Sequence, residues 1–332
     1  MIDERRSPAV ALPRRDDPRL KVALVVTALQ VLGQTGLGFK LTITQIVVPI
    51  AICALGDVSW TYVERREVVW PASGLVAGNS IAFILRASGT KHGAWWTTHG
   101  LVYFVAAAVV AVVSKYALHR VFNPSNLGIV AVLGVVGVTH VFPQYLWWGP
   151  PGWGLVIAWL VIVAGGIWLL RQLGMFPMVA AFIATLWAAI GALAITGHGF
   201  FARWSDARLS GSDYWTAICL SPEVIVFACF MITDPRTAPK TPRRRLLYGA
   251  GVASVAAALC SVQTTEFGIK LSILASLTIV CAVMALSRAR RTKLVALSIA
   301  VAAASMTVRA AYDPGVLHVE HPPGASSGVA SQ

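Results

Sequence analysis

The sequence predicts an all-α polytopic membrane protein, and three observations carry that prediction. First, 57% of the 332 residues are apolar, only 12% are charged, and mean hydropathy is +0.70. Soluble domains carry about 25% charged residues, so this balance excludes a soluble enzyme, a disordered chain and a secreted disulfide scaffold. Second, apolar runs approaching the roughly 20 residues needed to cross the hydrocarbon recur along the chain. Third, the basic residues fall mostly on alternate connections between those runs.

The expected spans lie near 22–38, 41–63, 69–88, 94–114, 124–146, 153–170, 176–196, 216–234, 247–263 and 271–287. An eleventh, Ala-rich and carrying Arg309, lies near 294–311 within an extra segment 288–312. Residues 1–21 read as a flexible cytoplasmic arm and 313–332 as a disordered Pro/Gly/Ser-rich tail. With the N-terminus inside and strict alternation, the outer set is only Lys40, Arg86, Lys91, Arg203, Arg208, Lys270 and Arg309. All other basic residues, including Arg243–Arg245, fall inside. That asymmetry predicts a plasma-membrane protein with a cytoplasmic N-terminus. It also accounts for the net charge of +13 without nucleic acid, whose aromatic-basic groove pattern is missing from the sequence. The lipid bilayer is the expected partner.

Five cysteines, Cys53, Cys219, Cys229, Cys260 and Cys281, sit in apolar runs with no C-x-x-C spacing, so packed thiols are expected. Trp95, Trp96, Tyr145, Trp147, Trp148, Trp153, Trp204, Tyr214 and Trp215 read as an interfacial belt on the outer side. Ala28-Leu29, Thr35, Gly38, Lys40-Leu41 and Ile43 reappear as Ala258-Leu259, Thr265, Gly268, Lys270-Leu271 and Ile273, a faint internal repeat of a span, a turn and a span.

Four local patterns could carry chemistry. In His119–Gly128, Asn123 can cap a helix and Pro124 suits its first turn, leaving free N–H groups near Lys115 and Arg120. Such an end holds a phosphate or carboxylate, which makes Asn123, Ser125 and Asn126 candidate binding residues. In Phe230–Pro239, Asp-Pro ends the eighth span and gathers Thr233, Asp234 and Thr237 on the same expected face. Glu223 lies within an apolar span, where an acid marks a cavity or a proton path by default. Asp57 sits late in the second span, where snorkelling is the plainer reading, and His140 stands in apolar context, where interhelical bonding is. These three are the candidate transport or proton residues. Ser73, Gly74, Ala77 and Gly78 have the spacing of a close helix contact. No metal-ligand set, nucleotide loop or nucleophile elbow is recognisable.

Taken together the patterns resemble the D subunit of the Rnf electron-transport complex and the B subunit of the sodium-pumping NADH:quinone oxidoreductase, the RnfD/NqrB family. Val121–Gly128 is similar to that family's F-N-P-A-x-x-G, Phe230–Pro235 to its F-[FM]-[IM]-A-T-D-P, Arg244–Gly249 to its G-R-L-I-Y-G, and Pro71–Gly78 to its D-G-S-A-L-[VL]-T-G. Val31–Phe39 and Phe122–Asn126 resemble more closely the UnbU-like branch, membrane proteins found beside enediyne polyketide genes in actinomycetes. The resemblance implies ten core helices in two five-helix halves over 22–287, a urea-channel-like fold, and electron transport with other membrane subunits. It also implies FMN or riboflavin. The relatives' covalent FMN is esterified to a Thr between the halves. Residues 143–153 hold no Ser or Thr, so a non-covalent flavin is expected instead of a covalent one. A channel or transporter for a small solute or pathway product is the second function class. Whether the chain is an enzyme is left open by these residues.

Overall fold

The computed structural model describes residues 10–14, 16–118, 121–287 and 290–311. The protein is an all-α membrane protein with a few short strands. Helix α1 spans Pro18–Gly36, α2 Ile43–Arg65, α3 Ala72–Ile84, α4 Leu101–Ala117 and α5 Pro124–Val136. Helices α6 (Trp153–Leu173), α7 (Phe176–Ile195), α8 (Gly211–Cys219) and α9 (Pro222–Val226) follow. The last of these runs on into a π-helical turn, Phe227–Met231, before α10 (Pro242–Cys260), α11 (Glu266–Met284) and α12 (Arg290–Ala311). Local chemistry sets many of these boundaries. Asp17 caps α1, accepting the Arg19 N–H at 2.9 Å, with Pro18 in the first turn. Thr42 and Gln45 form a reciprocal capping box on α2. Gly174, at φ 61°, stops α6 in the left-handed conformation that glycine adopts without strain.

Among the described residues, five helices are individually long and apolar enough to cross a bilayer: α2, α6, α7, α11 and α12 over Thr292–Ala311. Large apolar side chains such as Val31, Leu55, Val102, Leu160 and Val301 point outward, as a hydrocarbon solvent requires and water does not tolerate in such number. Helix α11 occupies the centre. Its apolar stretch is 78% buried, against 17–39% for the other four, and it packs on α5, α10 and α12.

Three expected spans differ from simple crossings. The run 69–88 is helical only over α3, and 124–146 only over α5; each has 13 residues. At 1.5 Å per residue each reaches about 20 Å, short of a bilayer core. Both then turn extended. Strand β3 (Leu85–Ala87) pairs antiparallel with β4 (Val141–Pro143), Arg86 opposite Phe142, in the buried interior. Mutual pairing satisfies backbone groups that lipid could not. The run 216–234 is broken: Ser221 caps α9 at Val224, and the two pieces are bent by 40°.

The two apolar hairpins of the faint repeat are not superposable position for position. Thr35 lies inside α1, whereas Thr265 caps α11 and accepts the Gly268 N–H. Lys40 lies in a turn, whereas Lys270 is buried one turn into α11. These matched residues therefore sit in different local structures.

The described part of the N-terminal arm is not free. Val10–Ala11 (β1) pairs in parallel with Val68–Val69 (β2), and Gln172 donates to the Asp16 carbonyl. Backbone hydrogen bonding to a second element holds it, which composition could not reveal. The tail 313–332 lies outside the described residues.

Small residues set the closest helix contacts. Gly74 and Gly78 of α3 face the Cys53 and Ile50 backbone of α2, Gly128 of α5 faces the Ala107 carbonyl of α4, and Gly249 of α10 faces that of Met178 in α7.

Candidate functional site

A cleft of about 730 Å³ opens at the end of the bundle where α1, α3 and α5 begin. The π-helical turn after α9 closes one side, the segment 12–19 another, and the end of α6 a third. Its walls include Trp70, Val76, Leu169, Phe230 and Met231; its polar rim includes Ser73, Asn123, Ser125, Thr233, Asp234 and Arg236. The two proline-bearing turns thus meet here, joined by one bond. The Asn123 amide donates from Nδ2 to the Met231 carbonyl at 3.3 Å. Its Oδ1 accepts the Asn126 N–H at 3.1 Å and the Ser125 hydroxyl at 2.9 Å. Thr233 donates to the Cys229 carbonyl at 2.6 Å. Asp234 accepts the Arg236 N–H at 3.0 Å, and the Arg236 guanidinium reaches Ser73 at 2.9 Å. One turn of α3, one of α5 and the Asp-Pro turn are thereby locked into one rim.

Two helix N-termini, of α3 and α5, open on this rim and bring their positive dipole ends. The neighbouring Asp17 carboxyl is held below the usual carboxylate range by its hydrogen bond to the Arg19 side chain. Replacing Asn123 by Ala removes the α5 cap and the tie to Met231 together. The expected cost is about 1–2 kcal/mol, read as a lowered melting temperature of the purified protein in detergent.

Not every candidate lines the cleft. Asn126 turns inward, donating to the Leu274 carbonyl and Thr278 hydroxyl of α11, both at 3.0 Å. Thr237 lies behind the turn with its N–H on the Asp234 carbonyl. Lys115, expected near the α5 start, instead pairs with Asp57, which also accepts the Tyr116 hydroxyl at 2.7 Å. Asp57 is therefore buried and paired between α2 and α4, not snorkelling. His119 and Arg120 lie outside the described residues. Ser73, Arg236 and Trp70 line the cleft beyond the expected ligands; the Arg236 signal, a cation directly after Asp-Pro, is present in the sequence.

The transport candidates are not brought together. His140 is exposed beside Thr139 and Tyr103, not between helices. Glu223 is buried at the α9 start, where it accepts from Lys270 at 2.7 Å and from the Trp148 indole at 3.0 Å. Lys270, and Arg86 beside it in sequence logic as an outer loop cation, are both interior residues. Trp148 and Tyr214 also leave the expected belt for the core, whereas Trp96 and Trp153 stay exposed. Alternation placed these residues by charge or ring type alone; the early end of α3 brings Arg86 inward, and the central position of α11 does the same for Lys270.

Residues 141–293 match the model of the NQR2, RnfD, RnfE family. The stretch runs from β4 to the start of α12 and holds Glu223, Lys270 and the Asp234 turn. Over it the chain is similar to membrane subunits of electron-transport complexes. The Asn123 turn lies before the match but shares its cleft. No curated protein matches the chain.

Proposed function

We propose that the protein is an RnfD/NqrB-like subunit of an electron-transport complex and holds FMN or riboflavin without a covalent bond in the cleft between the Asn-Pro and Asp-Pro turns. The observation that carries this reading is the meeting of those two turns in one space. About 730 Å³ is in the range of cofactor pockets. Flat apolar walls suit an isoalloxazine ring. Arg236, Ser73 and the α3 and α5 starts suit a ribityl or phosphate group. A flavin there would accept electrons from one partner and pass them to another. The chain's own part is to orient it and exclude water. The excess of basic residues on alternate connections supports a position of this end of the bundle at the cytosolic face of the plasma membrane, with the N-terminus on the same side. Likeness of Val31–Phe39 and Phe122–Asn126 to UnbU-like proteins supports a place beside enediyne biosynthesis.

The test is the visible spectrum of protein purified in mild detergent. A flavin spectrum is expected, with the chromophore released into the supernatant on acid precipitation. Arg236→Ala is expected to lower flavin occupancy several-fold. A colourless protein under gentle extraction and with added FMN would overturn the reading.

A second reading, a channel or transporter for a small solute, is favoured by a separate observation. A second cleft of about 820 Å³ opens at the other end of the bundle. Between the two clefts lies a void of about 10 Å³ lined by Glu223, Lys270, Phe227 and Met231. Solute flux into proteoliposomes, abolished by Glu223→Gln, is its test.

A further inference from the structure

We infer that the second cleft is a binding site for a small organic monocarboxylate with a flat apolar body, and that Arg86 is its anchor. Arg86 lines this cleft and is 1% exposed. Its Nη1 donates to the Leu85 carbonyl at 2.7 Å and the Ala82 carbonyl at 3.1 Å. These bonds fix the plane of the guanidinium at the end of α3. The Nε and Nη2 atoms have no hydrogen-bond partner, although both are buried. Buried donors left unmade are costly, and a guanidinium keeps its charge in any protein.

The two orphaned groups are not scattered. Nε and Nη2 lie on one edge of the guanidinium and point the same way, the edge that takes both oxygens of a carboxylate in parallel. The Phe39 ring packs at 5.0 Å from the guanidinium centre and lies in the turn with Gly38, whose φ is +62°. Seating the carboxylate requires this turn to give slightly. The rest of the cleft supplies the complement of a flat apolar body: Phe142, Tyr145, Trp147 and Trp148.

Charge selects a monoanion. Lys40 and Arg203 also line the cleft, but so does Asp213, and Glu223 lies just beyond Trp148. One free guanidinium edge takes one carboxylate in parallel, and Asp213 in the same cleft disfavours a second negative group. This site stands at the opposite end of α1 from the proposed flavin cleft and is independent of it.

Titration calorimetry of the full chain in detergent, with sodium benzoate and benzamide as probes, tests the assignment. Benzoate is expected to bind and raise the melting temperature; benzamide, equal in shape and uncharged, is expected to bind at least about tenfold more weakly. Phenyl phosphate is expected to bind more weakly than benzoate. Arg86→Lys keeps the charge but loses the parallel donors and is expected to weaken benzoate at least about tenfold. Should that variant not fold, Phe39→Leu replaces the ring against the guanidinium and is expected to change benzoate affinity several-fold. Equal binding of benzoate and benzamide, or benzoate affinity unchanged in a folded variant, overturns the site.

Discussion

Replacing Lys270 by Met while Glu223 stays in place is expected to cost about 3–5 kcal/mol of stability. The ammonium and carboxylate are both almost completely enclosed, 2.7 Å apart. Removing one charge leaves the other without its partner in an apolar interior. The carboxylate can then retain only the Trp148 indole bond, and a charge buried without its partner costs folding energy. The double variant Lys270→Met with Glu223→Gln is expected to recover most of the loss. The Gln carbonyl still accepts from Trp148, and no charge remains buried. A double-mutant cycle on melting temperature in detergent reads the coupling. A single Lys270→Met variant as stable as the parent would show that the pair does not hold the α9–α11 junction.

A branched side chain at the α2–α3 contact is the other change with a large expected effect. A Cβ built on Gly78 stands 2.7 Å from the Ile50 nitrogen, and one on Gly74 stands 2.7 Å from the Cys53 carbonyl carbon. The obstruction is helix backbone in both cases, which cannot rotate away as a side chain can. Gly78→Val is expected to force α3 from α2 at a cost of about 3 kcal/mol or more, the upper part of the overpacking range. Little monodisperse protein should survive extraction. Because Ser73 lies in the first turn of α3 and Arg86 directly after its end, both clefts would be disturbed. Gly251→Ala is the control: nothing lies within 4 Å of its Cβ position, so a neutral or slightly stabilising effect is expected. Folding of Gly78→Val at parental yield and stability would mean the two helices are not so closely apposed.

Much of the bundle was legible because its signals are local. Asn123 starts α5 through bonds to residues two and three positions away, and Ser73–Gly78 spacing announces a close contact wherever the partner is. The Asn-Pro and Asp-Pro turns were legible as polar helix ends for the same reason, and their shared face followed from alternating crossings. Their meeting depended on the Asn123–Met231 bond, which joins residues more than a hundred positions apart and leaves no pattern in either segment. Asn126 and Thr237 looked equivalent to their neighbours in sequence, yet one faces α11 and the other the back of its turn. Helical phase and the direction of a single turn made that difference.

Residue chemistry by itself determined that this chain lives in a bilayer, that α5 starts at Asn123-Pro124, and which connections carry the basic residues, because transfer energies and caps act within one segment. Tertiary structure alone decided that α3 and α5 stop halfway, since nothing in Leu85–Ala87 forbids a helix until β4 offers its edge. It also decided which charges are interior. A lone Arg86 or Lys270 is indistinguishable from a loop cation until the half-length α3 carries the one inward and the central α11 the other. There its cost depends on the groups that distant segments bring against it.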